Sequence, residues 1–306
     1  MNIKKTELEK IALDAFARVY GFCFGFCIVL PVPFFTLAYV FTHFAEKLMK
    51  KYKIECKLFH STMGVAYKYM RFAWAKWIFA CGFIFRINPV IVGKDKLENG
   101  ACIVLCNHQS ALETIIIGAL FLDSTFVIRK EFESVLALKM IHPIFVTRDI
   151  SGVRKMFEKI EKRLTAGLKV VIFPQATRVE VGKSEPYKLS ILTMHPQKKF
   201  CLMATNAGVF YGRDIFSPKK SGSPIFEIIG YLPNYLNHHE AKKYVEETIE
   251  GAQKKLCENA FKPVEKGSNK SLTPSKPHKG DKGDGLKKGA KKHKPASADN
   301  SGNPVK

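Results

Sequence analysis

The segment CNHQSALET, residues 106–114, sets a histidine at the end of an apolar run and a carboxylate five positions later. A neutral imidazole can take a proton from an alcohol. A carboxylate within reach fixes its tautomer and steadies the imidazolium that forms. His108 and Glu113 are therefore candidates for a base and its orienting partner. No serine or cysteine nucleophile is required if the alcohol is itself the substrate. Cys106 lies two residues from His108, but on a strand its side chain points into the sheet. A plainer reading is helix punctuation: Ser110 followed by Glu113 is a capping box, which predicts a helix beginning at Ser110. That reading explains the serine and the glutamate, but not a histidine at the mouth of a strand. A second constellation is FPQATR, residues 173–178, again at the end of an apolar run. Arg178 can grip a phosphate with two parallel hydrogen bonds, and Thr177 can add a donor. The alternative is an arginine that is only a surface charge.

Two such segments need a scaffold that brings them together. Between about residues 88 and 260, ACIVLC (101–106), STFVIRK (124–130), HPIFVTR (142–148), LKVVIF (168–173), KFCLMAT (199–205) and IFEIIGYL (225–232) read as strands. Val153, Met156, Phe157, Ile160 and Leu164 recur at helical spacing, with Gly167 as a stop signal. Tyr244, Val245, Ile249, Ala252 and Leu256 make a last amphipathic helix. Strands alternating with helices predict an α/β domain over 88–260. Its ligands would sit beyond the carboxyl ends of the strands, where Asn107, His108 and the 173–178 segment stand.

Residues 19–44, a stretch of 26, contain no Asp, Glu, Lys or Arg. A spanning helix needs roughly 20 apolar residues. Pro31 and Pro33 split the stretch into halves too short to cross alone, at about 1.5 Å per residue. Both flanks are basic, with Lys4, Lys5, Lys10 and Arg18 before and Lys47, Lys50, Lys51 and Lys53 after. Basic flanks predict that both ends stay on the cytoplasmic face. Residues 1–60 therefore read as a membrane-inserted helical hairpin, with a single kinked span as the alternative. Over 61–87, Lys68, Arg71 and Lys76 share one side of an aromatic-rich helix, which suits the membrane interface; a core helix with a solvated edge is the alternative. The net charge of +22 implies an anionic partner. Part of it lies in 261–306, where 12 Lys face Glu265, Asp281, Asp284 and Asp299. That segment has almost no large apolar residue and reads as a disordered tail, solvated or adsorbed to anionic lipid. Nucleic acid is disfavoured, because no stacking aromatics are interleaved with the lysines. The 8 Cys show no paired spacing, so no metal site is expected and a reducing cytosol is.

Taken in order, NHQSALE, FVTR and FPQATR resemble the motifs of the glycerolipid acyltransferases, and among them the bacterial lysophosphatidic acid acyltransferases. NAGVFYGRD (206–214) is similar to the same branch. The resemblance covers about residues 15–260. It implies a mixed sheet flanked by helices behind a membrane hairpin. It implies an acyl thioester donor, on coenzyme A or acyl carrier protein, and no cofactor. The acceptor would be a lysophospholipid hydroxyl, with glycerol 3-phosphate or a lyso-aminolipid such as lyso-ornithine lipid as alternatives. His108 would be the base and Glu113 its holder. The substrate-binding set would be Asn107, Lys130, Arg148, Phe173, Gln175, Thr177 and Arg178. The sequence departs from the pattern in Glu113 for Asp, Thr147 for Asp, Gln175 for Glu and Ala176 for Gly. Those departures leave room for an inactive lipid-binding relative.

Overall fold

The computed structural model describes residues 5–51, 57–135, 138, 141, 143–147, 149–194 and 197–261. The Lys-rich segment beyond Phe261 lies outside the described residues. Three long helices open the chain: α1 (Lys5–Val29), α2 (Val32–Lys51) and α3 (Lys57–Ile84). The α/β part follows as β1 (Val90–Val92), β2 (Ile103–Cys106), α4 (Leu112–Leu120), β3 (Ser124–Arg129), β4 (Ile144–Val146), α5 (Ile150–Thr165) and β5 (Lys169–Ile172). It ends with α6 (Ser190–Met194), β6 (Phe200–Thr205), α7 (Ala207–Tyr211), β7 (Ile225–Tyr231) and α8 (His238–Phe261).

Seven strands form one sheet among the described residues, in the order β1-β7-β6-β2-β5-β3-β4. Every neighbouring pair is parallel except β6–β7, which makes the sheet mixed. β2 lies at its centre, and all four of its residues are buried. A strand covered on both faces must be apolar on both, which is why IVLC carries no polar alternation. Val104 and Cys106 join Ile116, Phe126 and Met203 in one core layer. Ile103 and Leu105 join Phe157, Leu202, Val245 and Ile249 in the other. The six strands read from the sequence are all present. β1 was not foreseen: it is three residues long, sits at the sheet edge and exposes Val90 and Val92.

α1 and α2 meet at Leu30 and Pro31, the break that the prolines predict. Residues 10–45 are long and apolar enough to cross a membrane, and most of their surface is uncovered by protein. Phe16, Phe22 and Phe26 of α1 and Phe34 and Phe41 of α2 are exposed. α1 is nevertheless docked along one side, through Tyr20, Phe24 and Ile28. Phe24 packs its ring 5.3 Å from Phe85 and 5.9 Å from Tyr211. A Cβ on Gly21 or Gly25 would run into the backbone oxygens of Ser217 and Ile215, so glycine is what allows this close approach. α3 has a buried face, Trp74, Ala75, Ile78 and Cys81, that packs against the domain, and exposes Tyr69 and Phe72 opposite, while the Trp77 indole N–H donates to the Cys27 carbonyl of α1 at 2.8 Å. Arg71 departs from the interfacial reading. It donates to the carbonyls of Ser124 at 2.9 Å and Phe121 at 3.3 Å, and so pins α3 to the end of α4.

Candidate active site

The carboxyl ends of β2, β5 and β6 lie side by side because β2 pairs in parallel with both neighbours, Leu105 opposite Ile172 and Cys106 opposite Met203. The chain leaving β2 carries Asn107 and His108; the chain leaving β5 carries 173–178. The topology thus joins the two constellations, and Val179 N–H donates to the His108 carbonyl at 2.7 Å to tie them.

His108 Nδ1 lies 2.7 Å from Glu113 Oε2. The imidazole is 16% exposed and the carboxylate not at all. Glu113 also accepts the Gln109 N–H with both oxygens, at 3.0 Å. The histidine-holding reading of Glu113 is realised and the capping box is not: the N-cap of α4 is Ala111, which has no side-chain cap bond, and Glu113 binds the segment just before it. The helix begins two residues later than the capping box predicts, at Leu112, while Ser110 Oγ accepts the Leu112 N–H at 3.3 Å. Burial pushes the Glu113 carboxyl above the ordinary 4.5, against the pull of His108 and the N–H groups of Gln109 and Ser110. Phe173 stacks on the imidazole, centroids 4.1 Å apart and planes 19° off parallel. With Nδ1 engaged and one face covered, Nε2 is the ring nitrogen left for a substrate proton. Cys106 is fully buried and its thiol is pushed well above the usual range by desolvation, which removes it as a nucleophile.

The other candidates fall into different places. Asn107 is buried, donating to the Thr205 carbonyl at 2.9 Å and accepting its N–H at 2.8 Å. Its amide is committed to joining β2 to β6 rather than open to a ligand. Gln175 is buried too; its Oε1 accepts the His108 N–H at 2.6 Å and its Nε2 donates to Glu250 at 3.1 Å. Thr177 is exposed on the turn. Arg178 is partly exposed; it donates to the Arg213 carbonyl at 3.0 Å and pairs with Asp214. Lys130 is exposed in the turn Lys130–Phe132, and no side-chain bond joins it to this cluster among the described residues. Arg148 lies outside the described residues.

Residues that the sequence reading did not single out complete the surroundings. Arg213 and Glu180 approach to 4.0 Å, and Lys183 pairs with Glu180 at 2.7 Å. Lys219 is buried and donates to the carbonyls of Asp214 at 3.0 Å and Ser217 at 2.7 Å. Burial lowers its ammonium to about 8. Arg178, Lys183, Arg213 and Lys219 thus meet Asp214 and Glu180 beside the 173–178 turn, with Glu250 bonded to Gln175 as a third carboxylate, which leaves one positive charge in excess for an anion. The NAGVFYGRD segment held Arg213 and Asp214 in view; nothing in the sequence marked Glu180, Lys219 or Glu250.

Ala176 is held at φ 56°. That left-handed conformation costs a β-carbon about 1–2 kcal/mol, partly offset by the extra entropy a glycine loses on folding. Ala176→Gly is expected to stabilise the fold by about 0.5–1 kcal/mol, read by denaturant unfolding in detergent; a loss of stability would show that the turn is unstrained.

Residues 88–209 match the family model described as Acyltransferase. A 1-acyl-sn-glycerol-3-phosphate acyltransferase of Pseudomonas aeruginosa is 25% identical over 133 residues, 41% of this chain. The match spans about half of that relative, 52%. The crystal structure of the 1-acyl-sn-glycerophosphate (LPA) acyltransferase PlsC from Thermotoga maritima superposes with a TM-score of 0.56 over 78% of this chain and 98% of that one, at 16% identity, a likeness of fold. His108, Glu113 and the 173–178 turn all lie within the residues that match the Acyltransferase family model.

Proposed function

We propose that the chain is an O-acyltransferase that moves an acyl group from a thioester, on coenzyme A or acyl carrier protein, to the sn-2 hydroxyl of lysophosphatidic acid, giving phosphatidic acid. The observation that carries this reading is the His108–Glu113 pair, 2.7 Å apart, with the carboxylate sealed from solvent. His108 Nε2 takes the hydroxyl proton as the oxygen attacks the thioester carbonyl. The C–O bond forms, the C–S bond breaks, and the imidazolium returns the proton to the departing thiolate. Glu113 holds the tautomer that makes this possible. Arg178, Arg213 and Thr177 would receive the acceptor phosphate. A groove between α3 and α4, partly open to solvent and lined by Trp74, Ile78, Thr114, Ile115 and Gly118, is apolar enough to take part of an acyl chain. The exposed aromatic faces of α1 and α2 support a seat in the membrane, and the basic flanks favour its cytoplasmic face.

One observation keeps a second acceptor class open. Arg178 is already paired with Asp214, so an acceptor phosphate must compete for it. Such a part-exposed pair holds by about 0.2–1 kcal/mol. Asp214→Asn is therefore expected to lower the KM for lysophosphatidic acid or glycerol 3-phosphate about two- to fivefold. It is expected to leave an acceptor without phosphate, such as lyso-ornithine lipid, unchanged. The test of the whole reading offers these three acceptors in parallel, with labelled acyl-CoA or acyl carrier protein, to the purified protein in lipid vesicles. Transfer to none of them would sink it.

A further inference from the structure

Glu250 lies on α8 beside the fully buried Ile249. Its carboxylate gathers two donors from distant parts of the chain, Gln175 Nε2 at 3.1 Å and the Tyr187 hydroxyl at 2.9 Å. Gln175 in turn accepts the His108 N–H at 2.6 Å. Gln175 and Tyr187 are 3% and 2% exposed and Glu250 is half-buried, so the bonds run from the partly exposed edge of α8 into a dry region at the histidine.

The polarity of this relay is fixed by the chemistry of its members. A backbone N–H can only donate, so Gln175 must turn its oxygen to His108 and its NH₂ the other way. That NH₂ needs an acceptor, and Glu250 supplies one that can also take the Tyr187 hydroxyl. With no acceptor there, the amide can flip and set donor against donor at His108. Glu246, on the same helix, and Tyr187 and Gln175, from the segments packed against it, are the groups acting on Glu250; Cys257 feels it in turn. No cation pairs with Glu250 among the described residues.

We propose that Glu250 is a positioning residue: it orients the Gln175 amide and, through it, pins the backbone that carries His108. The proposal rests on the reading of His108 as the base. It also makes physical sense of a glutamine at 175, since a carboxylate there would face the Glu250 carboxylate directly.

The test compares Gln175→Glu, Glu250→Gln and the double variant in the full chain in vesicles. In Gln175→Glu two carboxylates lie about 3 Å apart; they share a proton at low pH and repel once it leaves. Its kcat is expected to fall roughly tenfold, relative to the unaltered protein, between about pH 6 and about pH 8, with the acceptor KM unchanged. In the double variant the introduced amide can accept from Tyr187 and donate to the introduced carboxylate, so the pH profile is expected to return. A Gln175→Glu profile like that of the unaltered protein, or a double variant no better than Gln175→Glu, overturns the proposal. Glu250→Ala adds a readout that needs no turnover: hydrogen exchange at the His108 amide is expected to quicken while that of β2 holds, and unchanged protection overturns the proposal. If the unaltered protein transfers to no acceptor, the transfer reading fails while the exchange result still decides the role of Glu250.

Discussion

His108→Ala is expected to lower acyl transfer by about 10²–10⁴-fold, the usual contribution of a positioned general base. The fold should survive, because the imidazole is a partly exposed side chain at a strand mouth and Glu113, which loses it as a partner, keeps the Gln109 N–H. The loss should fall on kcat, since the groups proposed to hold the acceptor, Arg178 and Arg213, are bonded across to each other's segments and not to His108. Vesicle flotation of the variant should match that of the unaltered protein, because the exposed apolar residues of α1 and α2 are untouched. Turnover within tenfold of the unaltered rate would remove His108 from the mechanism.

Glu113→Gln should cost as much, about 10²–10⁴-fold, although it only replaces a carboxylate oxygen with an NH₂. A carboxylate accepts from both His108 and the Gln109 N–H; an amide must place its NH₂ against one of these donors. If the amide donates to Nδ1, the proton is forced onto Nε2 and the base is lost. The pH dependence separates this role from a purely structural one. The folded carboxyl is raised above 4.5 by burial. In the window between 4.5 and its raised value the folded state binds the proton more tightly than the unfolded chain, so stability from this group falls as pH rises through that window. Activity runs the other way, because only the carboxylate can hold His108 as the base; it should fall as pH drops through the same raised value. Glu113→Gln should flatten the stability slope while abolishing transfer. A variant that loses stability but keeps its rate would make Glu113 a structural residue and nothing more.

The elements were legible where a pattern is local. The apolar run of β2, the 3.6-residue spacing of α5 and the prolines between α1 and α2 each write their structure in consecutive residues. β1 escaped because three apolar residues at a sheet edge, two of them facing solvent, carry no alternation to read. Arg71 was misplaced for a related reason: a helical wheel shows which residues share a side, but not which side meets protein. Once α3 packs on α4, the carbonyls of Phe121 and Ser124 need a donor and Arg71 provides it.

The same division runs through the site. His108 and Glu113 are five residues apart across one strand-to-helix turn, so backbone geometry alone brings them together and the sequence by itself determined the pair. The partners of Asn107, Gln175 and Arg178 are 98, 75 and 36 residues away. A polar side chain does not encode which buried group will meet it. Only the closing of β2 against β5 and β6, with α8 laid across them, decided that Asn107 ties strands, that Gln175 answers to Glu250, and that Arg178 waits on Asp214.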